Sequence, residues 1–238
     1  MSAPSSQIPE LRRQAIDRLG SIQHELMISF LNRQIYQAVR DEIVARRPTA
    51  DGTFLNSYSG LYARAQVMVV RRLADDHQDK PDSLWWLIER IKRNPAIASR
   101  ANLVDHVRGE RPDEEWLETY LTTEFSRLWG PNEHPETDRL VALQHSLVGE
   151  LTKVLDFADT NVAHRDPRGP QFSVTYGEIH EALDRLAELT NSISVLFTSS
   201  STAYDFVAIQ GDWHECFRPA LFPIALGAFE YPDPRGFV

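Results

Sequence analysis

Cysteine occurs once, at Cys216, and lysine three times, at Lys80, Lys92 and Lys153. A single thiol excludes an internal disulfide framework and any zinc site built from several thiolates. No apolar run reaches the roughly 18 residues that span a bilayer. The longest, Ala220 to Phe229, is interrupted by Pro223 and Gly227. The opening stretch MSAPSSQIPELRRQ has no apolar core of the secretory kind. Basic residues are outnumbered, 25 against 34 acids, for a formal charge of −9. That balance excludes a bulk-basic nucleic-acid coat and leaves room only for a local basic site. Together these absences predict a soluble, cytoplasmic chain with no metal, no cofactor and no membrane partner.

What the 238 residues do contain is helical periodicity. Ile22, Leu26, Phe30, Leu31, Ile35, Val39 and Ile43 recur at spacings that make one apolar face, and Pro48 follows as a stop. After the Asp51-Gly52 turn, Phe54, Tyr58, Leu61, Tyr62, Ala65, Val69 and Leu73 form a second stripe. A third runs through Leu140, Leu143, Leu147, Leu151, Leu155 and Ala158 into the loop Asp166-Pro-Arg-Gly-Pro170. The fourth opens on Thr175-x-x-Glu178, a capping box, and carries Ile179, Leu183, Leu186, Ile193 and Phe197. Four amphipathic helices bury their stripes most simply against each other. The fold predicted is all-α, an antiparallel four-helix bundle over 21–201 with a helical insertion at about 95–135. Residues 1–20 are read as a tail and leading helix. Residues 202–238 are too aromatic for a free tail and are read as a packed extension, with a short strand at Tyr204 to Ile209.

Chemistry concentrates in Phe157-Ala-Asp159-Thr-Asn-Val-Ala-His164-Arg165-Asp166. His164 has a side chain whose ordinary pKa lies near neutrality and suits proton transfer. Asp159 precedes it by little more than one helical turn. Arg165 and Arg168 bracket a loop whose backbone N–H groups can face an anion. On residue chemistry alone this is either a phosphate site or a helix end stabilised by cations. On the second stripe, Arg72 and Asp75 stand three apart, spaced for an intrahelical ion pair or, for Arg72, a place beside the His164 loop. Trp85-Trp86 reads as core and interface packing ahead of base stacking, and His214-Glu-Cys216 as a packed tail ahead of a metal site. His24, His145 and His180 read as surface or core histidines.

The segment Ala158-Asp-Thr-Asn-Val-Ala-His-Arg-Asp166 resembles the signature of the HEPN superfamily, in its abortive-infection, AbiU-type branch. Tyr62-Ala-Arg-Ala-Gln66 through Arg71-Arg-Leu-Ala-Asp75, then Ser83-Leu84, is similar to that family's second helix and the segment after it. The resemblance implies a helical-bundle homodimer that cleaves RNA without metal, in a phage-defence or toxin–antitoxin setting. His164 matches the motif's histidine and Asp159 its polar residue. The motif's arginine falls at Ala158 or within one residue of it, where this chain has no base. The implied catalytic set is His164, Arg165 and Asp159, with Arg72, Arg168 and Asp75 binding the ligand. Without the motif arginine, ribonuclease activity is expected to be weak or lost, leaving RNA or nucleotide binding. Ala158→Arg would then restore cleavage if position 158 faces the cleft of His164. The alternative is a protein-interaction module that docks a partner through its C-terminal extension, with the His164 loop structural.

Overall fold

The computed structural model describes residues 5–46, 53–75, 82–113, 116–163 and 173–204. They fall within one compact unit, Met1–Asp205. Among them are eight α-helices and no strand: α1 (Ile8–Arg46), α2 (Thr53–Ala74), α3 (Leu84–Arg93), α4 (Arg100–Glu110), α5 (Trp116–Trp129), α6 (Thr137–Gly149), α7 (Thr152–Phe157) and α8 (Tyr176–Thr198). The all-α expectation holds. No described helix is long and apolar enough to cross a membrane.

α1 is longer than its apolar stripe announced. It begins at Ile8, with Pro9 in the first turn where a missing N–H costs nothing. Its buried face starts at Ala15 and Leu19 and continues through Ile22, Leu26 and Phe30 to Tyr36. Paired residues fix its direction against two neighbours. Tyr36 meets Tyr62, the Ser29 carbonyl accepts from Gln66, and Glu25 meets Arg72, so α1 and α2 are antiparallel. Arg33 meets Asp184, Gln23 meets Ser194, and Arg12 meets Phe197, so α1 and α8 are antiparallel as well.

The second stripe is turned from its predicted setting. Leu61 is 67% exposed, while Gln66, Val67 and Val70 are inside. A polar side chain stands on the core line, where buried Gln66 donates its amide N–H to the Ser29 carbonyl at 3.2 Å. The third stripe is not one helix. It breaks after Gly149, a residue that weakens helix interiors, and restarts at Thr152. The Thr152 hydroxyl donates to the carbonyls of Val148 and Gly149 at 2.9 and 3.1 Å, occupying acceptors that the break releases.

The insertion is helical, as expected. A 3-10 turn (Pro95–Ala98) leads to α4, and α5 packs on α4. Arg12 ties this insertion to the bundle. Its guanidinium donates to the carbonyls of Ile97, Asn102 and Phe197 at 2.7, 3.1 and 2.9 Å and lies over the Phe197 ring. Trp85 and Trp86 pack against the core, with Arg90 over the Trp86 ring. At the other end of the chain, Ser199 closes α8 in a left-handed conformation (φ 53°). Thr202 then exchanges hydrogen bonds with Asn191, and Tyr204 is buried against Phe30. The extension therefore starts out packed on the bundle; the strand expected at 204–209 lies, after Tyr204, outside the described residues.

Candidate functional site

α7 passes without interruption into a π-helical turn, Ala158–Ala163. Such turns carry one extra residue per backbone hydrogen-bond ring and interrupt the α-helical pairing. At the start of the turn the Thr160 hydroxyl donates to the Asp156 carbonyl at 2.7 Å, and the Asn161 amide donates to that hydroxyl. The wider turn divides neighbouring side chains between opposite environments. Ala158 is fully buried in the core, whereas Asp159 is exposed. Position 158, where the motif arginine would stand, therefore faces packed side chains and not a cleft.

A cation reaches the π turn from another helix. Arg71 of α2 donates through Nε to Asp159 Oδ1 at 2.5 Å. The arginine side chain is 24% exposed and the aspartate 56%, so the pair sits at the surface with its guanidinium partly shielded. Arg72 goes elsewhere. Both its Nε and its terminal nitrogen meet the Glu25 carboxylate of α1, so Arg72 serves the α1–α2 contact. Two adjacent helical residues point about 100° apart, and it is the first that meets Asp159. Asp75 is buried at the end of α2. His164, Arg165 and Arg168 lie outside the described residues, as does His214-Glu-Cys216.

A second cluster was not foreseen. Tyr36 from α1, Tyr58 and Tyr62 from α2, and Tyr176 and His180 from α8 gather at one end of the bundle. Tyr36 and Tyr62 are stacked with centroids 4.0 Å apart and planes within 2°. Tyr176 is 5.5 Å from Tyr36 and within 23° of parallel. The Tyr62 hydroxyl meets His180 Nε2 at 2.8 Å. Burial pushes the His180 pKa down, Arg33 adds to that, and Asp184 opposes it. Burial likewise pushes the Tyr62 phenol up, so the pair is neutral on both sides near pH 7. The available signal was Tyr58 and Tyr62, one helical turn apart, within a chain holding seven tyrosines in all. His24 and His145 are exposed, as expected. Among the described residues no three His, Cys, Asp or Glu side chains cluster as a metal would require.

The HEPN family described as AbiU2 matches residues 45–216, well over half of the chain. The chain belongs to that family. No curated protein and no solved structure matches it. In this AbiU2 chain the matched stretch takes in the second helix with Arg71, the π turn with Asp159 and all of α8. It stops short of nearly all of α1.

Proposed function

We propose that this AbiU2-family protein binds RNA or a nucleotide around His164 and Arg165, in a phage-defence or toxin–antitoxin setting. In this reading it acts as a homodimer with weak or lost metal-independent ribonuclease activity. The observation that carries the reading is the Arg71–Asp159 pair. It brings a guanidinium from α2 to Asp159, five residues before His164 and six before Arg165, where position 158 offers only a buried methyl group. Phosphate recognition needs such a cation, and Arg is the side chain that holds phosphate through two parallel N–H groups.

Cleavage would proceed by attack of a ribose 2′-oxygen on the adjacent phosphorus, with the P–O5′ bond breaking and a cyclic phosphate formed. His164 would handle the proton, and Arg165 with Arg71 would face the developing charge. A displaced stabiliser would lower the activity, since loss of one preorganised donor costs about a hundred- to a thousand-fold in rate. Arg71 is engaged by Asp159, so an incoming phosphate has to compete for it.

Incubation with single-stranded RNA in chelator separates the possibilities. Wild type, His164→Ala and Arg71→Gln are compared for cleavage and for binding. Loss of either in both variants supports the site. Unchanged behaviour in both variants overturns it and favours the interaction module. Light scattering on the purified chain tests the homodimer.

A further inference from the structure

The tyrosine cluster has one member that its packing does not require to be exposed. Tyr36 is 3% exposed and Tyr62 7%, as core aromatic rings are, yet Tyr176 beside them is 39% exposed. Its ring is nevertheless held in place. Tyr36 donates to the Ser59 hydroxyl at 3.1 Å, and the Tyr176 hydroxyl joins the same Ser59–Tyr36 hydrogen-bond set. Its backbone is held too, because it opens α8 directly after Thr175, the capping-box residue whose N–H donates to Glu178 at 2.7 Å. A flat ring fixed at its hydroxyl and its backbone, with solvent on part of its surface, is a platform that needs no reordering to receive another ring.

The charge beside it narrows what that second ring belongs to. Arg40 of α1 is exposed and close enough to act electrostatically on Tyr176. Among the described residues it makes no ion pair or hydrogen bond through its guanidinium. Arg33, two turns earlier on the same face of α1, is already committed to Asp184 at 2.6 Å. An uncommitted guanidinium next to an exposed ring calls for a ligand that is aromatic and anionic together. A cationic partner would be repelled by Arg40, and an uncharged aromatic one would leave it unused.

We infer that Tyr176 and Arg40 form a subsite for a nucleobase and its phosphate, the base stacking on the Tyr176 ring and the phosphate meeting the Arg40 guanidinium. This deepens the RNA or nucleotide reading and rests on it. The subsite gathers around Ser59 of α2, twelve residues and about 18 Å along that helix from Arg71, so it stands apart from Arg71 and Asp159. The base and phosphate come either from single-stranded RNA or from a free mononucleotide.

Fluorescence anisotropy with a labelled RNA decamer tests the inference on wild type, Tyr176→Leu, Tyr176→Trp and Arg40→Gln. Base–aromatic stacking leads us to expect a loss of about tenfold in affinity for Tyr176→Leu, with Tyr176→Trp retaining wild-type binding. Arg40→Gln should weaken binding and reduce the slope of log affinity against log salt by about one. Rescue by tryptophan is a readout that damage to the fold would not give, and circular dichroism checks that α8 is intact. Displacement of the RNA by adenosine monophosphate assigns a free nucleotide as the source; its failure to compete assigns RNA. Unchanged affinity in Tyr176→Leu, with loss in His164→Ala or Arg71→Gln, overturns the subsite alone. Loss in Tyr176→Leu with full binding in those two overturns the central site alone. No binding by wild type to either probe overturns both.

Discussion

The Tyr62 hydroxyl and the Nε2 of His180 face each other at 2.8 Å, joining α2 to α8. Burial lowers the His180 pKa, Arg33 lowers it further, and Asp184 only partly compensates. The unfolded chain therefore binds the proton more readily than the folded one. Stability from this group is present above the unfolded histidine pKa, near 6.5, and is lost as pH falls through the depressed folded value. Urea midpoints measured at pH 7.5 and 5.0 should drop more for wild type than for His180→Gln. An equal drop in both proteins would remove His180 from the acid response.

Arg12 holds three carbonyls from three separate segments. Arg12→Leu keeps some packing over Phe197 but leaves those acceptors without their donor. At about 1 kcal/mol for each hydrogen bond lost, the expected destabilisation is about 3 kcal/mol. Chemical denaturation followed by circular dichroism measures it; a change under about 0.5 kcal/mol, the range of ordinary surface substitutions, would show that water replaces the guanidinium freely.

Position 158 gives the opposite of what the motif alone leads one to expect. Ala158 is fully buried, so Ala158→Arg forces a charged side chain into packed core. A loss of about 3 kcal/mol is expected, with no gain in RNA cleavage. Thermal melting and the cleavage assay are read on the same preparation. A variant that melts like wild type and cleaves faster would mean that the π turn rearranges to expose position 158.

The capping box at the start of α8 makes a separate test. Glu178 is held down to about 2, first by Lys153 and then by the Thr175 N–H. Thr175→Ala removes the side-chain acceptor for the Glu178 N–H and should cost about 1 kcal/mol. Because the folded pKa of Glu178 is depressed, its contribution is present above the unfolded glutamate value and fades as pH falls toward 2. The cost of Thr175→Ala should accordingly be larger at pH 7 than at pH 3.

On α2, Leu61→Ser at a 67% exposed site should leave stability within about 0.5 kcal/mol, while Val67→Ala at a fully buried one should cost about 2 kcal/mol. The second apolar stripe, which includes Leu61 and omits Val67, favours the reverse ranking. The capping box and the four periodic stretches were legible because each rests on local chemistry. The setting of α2 was not, since it depends on Gln66 finding a carbonyl on another helix. The break after Gly149 was hidden by leucines that keep helical spacing on both sides of it. The π turn left no mark in the residue pattern. Adjacent arginines could not be told apart by sequence either: whether Arg71 or Arg72 meets Asp159 is decided by Glu25, some 47 residues upstream of Arg72.

All but the last two residues of α1 precede the stretch that matches the AbiU2 family. Cutting the chain back to that stretch would strip Tyr62 of the ring it lies on, Asp184 of its guanidinium and Gln66 of its carbonyl. Two long helices would then present a wet, unclosed wall. The portion shared with relatives is thus smaller than the portion that must be synthesised together, and α1 sets the earliest workable start for any truncated version of this protein.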